Sequence, residues 1–425
     1  MCTKILALIL AAFCLVSCIG CSSAPVVSTT GNNATTSSTQ ANITSTPLSS
    51  TAPTVPTQPP ITQPATDVWN GTIATAFAGG SGSEDDPFRI STCSQLAFLA
   101  QQVNIGKSYP KKYFILENDL DLNQLPWIPI GNGYYRFQGY FDGLNHTISN
   151  IYIDTAHKSE YHTKQAVAGL FGYCRNSILK NLRIDGVRIH IPSLKGFDDA
   201  WIGVLAGCIE SQESSVIKNI HISNASLSVE QADTLVNLGG CVGQIRVSEK
   251  ALLQIDRIQC ETSIGTPANT YRNHIGGIMG FLYNQGVSDI SNIACYTDLM
   301  WTGYKGDNSA AAFATMANST SVNLSNIFSH IHSNRLFHNA SNYYSYTTSA
   351  IVVSASRIEN STGTYYFKNV FGYCSNQETD RLGDLYHNDG YIIQNNCGKY
   401  NSLPENHGFS DDVWDLRDPS KPLLW

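Results

Sequence analysis

Charge is scarce in this 425-residue chain. Lys and Arg number 26 and Asp and Glu 33, together 14% of the residues, leaving a net charge of -7. A nucleic-acid partner demands basic patches, so this balance argues against that class, and more weakly against a grip on an anionic membrane surface. Catalytic signatures are missing as well: there is no His-Glu-x-x-His, no Gly-x-Ser-x-Gly and no phosphate-cradling loop. No run holds the i, i+3, i+4 apolar spacing for long, which rules against a helical body. The apolar run from Ile5 to Val16 is too short to span a bilayer comfortably.

That run follows Lys4 and leads into Leu15-Val16-Ser17-Cys18, the pattern of a bacterial lipoprotein signal whose Cys18 takes the lipid. Cys21 is the weaker alternative, because Cys18-Ile19-Gly20 is a poor lipobox. Residues 22–66 carry no charge and are almost wholly Ser, Thr, Pro, Ala, Asn and Gln, a composition that cannot fold and reads as an extended tether. The expected organisation is a signal peptide over 1–17, lipidated Cys and tether over 18–66, an N-terminal cap over 67–147, repeats over 148–375 and a C-terminal capping segment over 376–425. The expected location is the cell envelope, lipid-anchored and exposed outside the cytoplasmic membrane.

What the chain has in abundance is repetition. A pattern of apolar, any, Asn, apolar, any, small-or-apolar recurs at Ile148–Ile153, Leu179–Ile184, Ile217–Ile222, Ile255–Cys260, Ile290–Cys295, Leu324–Ser329 and Phe367–Gly372. A second motif, Ala168-Gly169-Leu170-Phe171-Gly172-Tyr173, is echoed from Gly203, Gly239, Gly276, Ala311 and Ala350, at steps of 35, 36, 37, 35 and 39 residues. Two motifs in phase signal a solenoid, in which each unit buries its apolar face against its neighbours.

Within the Asn motif the apolar residues sit three apart and then two apart, so a strand must bend between them. Asn tolerates the left-handed backbone region and suits that corner. The reading is an all-β, right-handed parallel β-helix (β-solenoid) with an Asn ladder of Asn150, Asn181, Asn219, Asn292, Asn326 and Asn369, broken at Arg257. Three strands per turn are expected: the Gly motif, the Asn motif, and a period-two strand such as Val187–Ile191. Length varies at one loop position, over 193–201, 231–238, 266–275, 303–310 and 336–349. Thr92-Cys93-Ser94-Gln95 is a capping-box pattern that opens a helix over 92–105 lying across the first turn. Residues 409–425, with Trp414 and Trp425, suit a short non-repetitive lid at the far end. Of eight body cysteines, Cys241, Cys260 and Cys295 read as buried apolar thiols, and Cys374 with Cys397 is the best disulfide pair.

Gly-Leu-Phe-Gly followed by Lys-Asn-Leu resembles the GLUG-motif surface proteins of bacteria, as do Gly80–Ile90, Trp127–Gly131 and Phe137–Ile148 ahead of the repeats. The resemblance covers roughly residues 79–425 and implies a secreted or cell-surface protein, often adhesin-like or appended to a peptidase; no peptidase is appended here.

Candidate chemistry is thin. Asp119, Asp121 and Asp142 read as parts of the structural pattern, and His330, His332 and His338 as surface residues short of a metal site, so no metal, cofactor or catalytic set is assigned. Trp201, Tyr271, Trp301, Tyr304, Tyr343, Tyr344 and Tyr346 fall in or beside the variable loops, where aromatic faces suit stacking on sugars or gripping protein partners. The leading expectation is a non-catalytic adhesin or binding module for glycans or surface proteins. The alternative is a β-helix enzyme, a polysaccharide lyase or glycosidase, which needs converging carboxylates.

Overall fold

A computed structural model describes residues 66–155, 157–158, 164–266, 272–301, 308–311, 313–318, 320–333, 346–349, 352–354, 363–374, 383–384, 391–400 and 402–424. The region 61–425 is a parallel β-solenoid with one helix among the described residues. Its turns stack into three sheets. The first carries the Asn motif through Ile178–Asp185, Ser214–Val229, Leu252–Thr266, Val287–Trp301, Ser321–Ser333, Thr364–Cys374 and Tyr391–Lys399, each paired in parallel with the next. The second has seven strands, six of which leave the Gly-motif copies, from Phe171–Arg175 to Val352–Ser354, followed by Gly383–Asp384. The third has seven, six of which lead into that motif, among them Asp199–Gly203, Leu235–Gly239 and Arg272–Gly276, with His157–Lys158 added antiparallel at one edge.

The third sheet corrects the sequence reading. Its strands start inside the stretches assigned to variable loops, while the Asn motif and the supposed separate strand after it belong to one sheet, continuous in Ser214–Val229. Residues of the third sheet are buried on both faces, so they lack the period-two signature of a half-buried strand.

The corners show why the repeat needs Asn. Asn150, Asn181, Asn219, Asn292, Asn326 and Asn369 all have φ between +52° and +57°, and Arg257, in the same column, has φ +58°. Their side chains are tied together. Asn219 Nδ2 donates to Asn181 Oδ1 at 2.9 Å, Asn326 Nδ2 to Asn292 Oδ1 at 3.1 Å and Asn369 Nδ2 to Asn326 Oδ1 at 2.9 Å. Where a run begins, a carboxylate takes the acceptor role: Asp121 for Asn150 (2.8 Å), Asp142 for Asn181 (3.0 Å) and Asp256 for Asn292 (2.7 Å). Asp256 restarts the column one residue before the break at Arg257.

Between corners, Ile184, Ile222, Cys260 and Cys295 stack inward in register, each essentially inaccessible. Full burial of such a side chain is worth about 2 kcal/mol. The Gly motif serves backbone contact between the second and third sheets. A Cβ on Gly243 would lie 2.3 Å from the Ile202 nitrogen, and one on Gly207 2.7 Å from the Trp201 oxygen.

The helix runs Cys93–Asn104 with Thr92 as N-cap and a complete capping box to Gln95. Its Leu96, Leu99, Ala100 and Val103 join the main core, covering the otherwise open start of the stack. The C-terminal segment does not act only as an end lid. It runs back along the outer face of the first sheet, where Leu403, Phe409 and Trp414 bury Ala294, Phe328 and Phe371. These three are register partners at outward positions, an apolar column that water would otherwise meet.

The disulfide expected between Cys374 and Cys397 fails on register. Cys397 pairs with Val370, four residues short of Cys374, so the two Cα atoms are on the order of 13 Å apart along the strand direction. A disulfide needs less than about 7 Å. The inward Cys295 and, in the second sheet, Cys208 are both buried; burial pushes Cys295 up to about 11 and Cys208 up to about 12, which makes them inert small apolar groups.

Asn292→Ala loses two ladder bonds and forces Ala into the left-handed region. Unfolding monitored by circular dichroism in urea is expected to show a loss of about 3 kcal/mol, and Asn292→Gly a smaller one because glycine accepts the backbone. Equal stability of both variants and the parent contradicts the corner's role.

Candidate functional site

The outer face of the first sheet carries the concave features. One is a groove of about 510 Å³ whose lining includes Glu261, Ser263, Tyr296, Asp298, His330 and His332. Pairing register explains the gathering: Glu261, Tyr296 and His330 sit side by side on successive strands, with Ser263, Asp298 and His332 two residues further along. Alternation puts all six outward, and stacking turns two short sequence patterns into a continuous lining.

The C-terminal segment borders this groove. Tyr296 donates its hydroxyl to the Pro422 carbonyl at 2.6 Å, Lys421 pairs with Glu261 at 3.2 Å, and the Leu424 N–H donates to Gln259 Oε1 at 3.2 Å. The last bond fixes the Gln259 amide, so its Nε2 faces His221 Nε2 at 3.3 Å as a donor. His221 Nε2 must then accept, which leaves the ring proton on Nδ1.

Two imidazoles on this face are held neutral. Burial, aided by the neighbouring Arg183 charge and opposed by Glu261 and Asp185, lowers His221 below its ordinary 6.5. Burial and the adjacent His332 lower His330 in the same direction, against the pull of Asp298. The His330 ring meets Tyr373 edge-on at 5.0 Å. Among the described residues no group of three or more His, Cys, Asp or Glu side chains could hold a metal ion.

The aromatic candidates fare unevenly. Trp201, expected to be exposed on a loop, is 3% accessible and lies on a third-sheet strand. Its ring packs edge-on against Tyr173 at 5.8 Å, in a seam with Val167 and Cys208 where the second and third sheets face each other. That seam continues through Asn237, which donates to Gln244 at 3.1 Å, and His274 stacked on Phe281 at 4.6 Å. Trp201 is therefore structural. Trp301 and Tyr346 have backbones on strands Val287–Trp301 and Tyr346–Ser349, and their side chains lie outside the described set. Tyr271, Tyr304, Tyr343, Tyr344 and His338 lie outside the described residues, as does Cys18.

The early carboxylates are engaged in structure. Asp119 accepts from the Thr147 N–H (2.9 Å) and faces His146 Nδ1 (3.0 Å), Asp121 accepts from the Asn123 N–H (2.7 Å) and Asp142 from the Leu144 N–H (2.9 Å). Sequence reasoning missed the groove residues Glu261, Tyr296 and Asp298. The available signal was their common offset from the Asn motif.

Acidification tests the imidazole environment. With folded-state proton affinity lowered at His221 and His330, the unfolded chain binds more protons below about pH 6.5, so stability is intact above that value and falls as pH drops through the depressed folded values. Urea midpoints measured from about pH 8 to about pH 5 should decline, and a His221→Gln, His330→Gln double variant should flatten the decline. An unchanged slope in the double variant contradicts the assignment.

No protein-family model matches the chain. A relative from Evansella cellulosilytica, provisionally named a Gly-rich membrane protein, is 28% identical over 145 residues; the match covers 32% of this chain and only 15% of the relative's length. A crystal structure from Bacteroides ovatus, provisionally described as an immunoglobulin A1 protease, superposes with a TM-score of 0.49 at 14% identity, over 82% of this chain and 95% of that one. No helix among the described residues is long and apolar enough to cross a membrane.

Proposed function

We propose that this chain is a lipid-anchored cell-surface protein, held through Cys18, whose solenoid is a non-catalytic binding module for glycans. A surface-protein ligand is the other member of the same reading. The observation that carries it is the groove of about 510 Å³ on the first sheet, a volume suited to a small ligand or a few residues of a polymer. Its lining supplies hydroxyls, carboxylates and imidazoles, with His330 held neutral by burial, the mixture that hydrogen-bonds sugar hydroxyls. The GLUG resemblance and the membrane-protein name of the Evansella relative both agree with an envelope location.

A polysaccharide-cleaving enzyme has one observation in its favour, since Glu261 and Asp298 line the same groove. Glycoside cleavage asks one carboxyl to give a proton and the other to stay ionised. Glu261 is already engaged by Lys421 at 3.2 Å, which favours binding over catalysis.

A glycan array probed with the chain lacking its first 60 residues should show binding that Asp298→Ala and His332→Ala each weaken roughly tenfold, with unchanged circular dichroism. Depolymerisation of a uronate polymer in the presence of calcium overturns the non-catalytic reading. Absence of any glycan signal moves the ligand to the protein class.

A further inference from the structure

The Asn column has one defect, and a small pocket lies there. The pocket, of about 100 Å³, is lined by Asn145, Arg183, Asn219, His221 and Arg257 among others, and Leu424 of the C-terminal segment forms part of its wall. Along intact stretches, each Asn Oδ1 accepts from the Asn of the following turn, as Asn181 does from Asn219 and Asn292 from Asn326. The turn after Asn219 presents Arg257 instead, at the same left-handed corner. A short amide that would have filled the column is replaced by a long cation that leaves it.

The pocket's lining carries two guanidiniums and no carboxylate, although Asp185 and Glu261 act on His221 from nearby. Arg183 is exposed, with no carboxylate within ion-pair distance among the described residues. Among the described residues the one carboxylate that Arg257 reaches is Asp256, at 3.9 Å, which already accepts from Asn292 and Ser291 and pairs with Lys218 at 3.5 Å. His221, with its Nε2 accepting from Gln259, keeps an Nδ1–H donor. In a chain of net charge -7, two guanidiniums and an imidazole donor around one small concavity form a local cationic site.

We propose that this pocket binds one anionic group, a carboxylate or sulfate, carried by an acidic glycan, so that the ligand class of the module is acidic polysaccharide. The proposal rests on the glycan reading above and narrows it. Pocket and groove lie on the same two strands, Ser214–Val229 and Leu252–Thr266, with Gln259 of the pocket four residues from Ser263 of the groove. That offset is roughly 13 Å, within reach of a short oligosaccharide.

Calorimetry on the full chain with a short oligogalacturonate, a neutral cello-oligosaccharide of equal length and sodium sulfate tests this. Arg183→Gln and Arg257→Asn are the informative variants, and the second restores the repeat's own residue to the column, so it keeps the fold. The expected result is oligogalacturonate binding roughly tenfold tighter than the neutral oligomer, a preference that both variants abolish without changing neutral binding. Equal binding of the two oligomers overturns the anion site and leaves the glycan reading standing. So does a preference that survives both substitutions. Binding of sulfate alone, or of none of the three, overturns the acidic-glycan assignment together with the glycan reading it rests on.

Discussion

An asparagine held in the left-handed region, its amide donated to the asparagine of the turn before, is the contact on which the rest of the stack depends. The conformation is costly for most L-residues and mild for Asn, whose short polar side chain bonds locally. Each rung adds a net gain on the order of 1 kcal/mol and, more importantly, fixes register, because the amide reaches its partner only when successive corners are superposed. With corners aligned, inward Ile, Leu and Cys fall into columns and every outward residue acquires a fixed neighbour above and below. Carboxylates at Asp121, Asp142 and Asp256 show that an acceptor is what each run must start from.

The same alignment creates the exterior. The position two beyond the corner Asn reads Arg183, His221, Gln259, then Ala294, Phe328, Phe371, so the column passes from polar to apolar along the stack. The C-terminal segment covers the apolar half, and Gln259 at the junction receives its Leu424 N–H. Both concavities lie where that cover meets the polar residues. A change in one column therefore decides where the tail lies and where the open sites lie.

Much of this was legible in the sequence because it is local chemistry. The Asn corner and the capping box at Thr92 each depend on residues within a few positions of one another, and the broken rung at Arg257 shows when one motif copy is compared with the next. The third sheet was hidden because its strands are buried on both sides and carry no alternation. Trp201 was misplaced for the same reason: a large aromatic beside a variable loop looked exposed, whereas Tyr173 of the preceding turn and Cys208, seven residues on, close over it. The tail's route was foreshadowed by Ala294, Phe328 and Phe371 at positions that are polar elsewhere, a signal visible only once the copies are stacked. The groove depended on register between distant strands, and the register comes from the ladder.

The most direct measurement is a crystallographic determination of the Cα positions of residues 181, 219, 257, 292, 326 and 369. The account predicts successive steps of about 4.8 Å along a single line, with φ positive at every one, Arg257 included. Steps that scatter, or corners with negative φ, would contradict it.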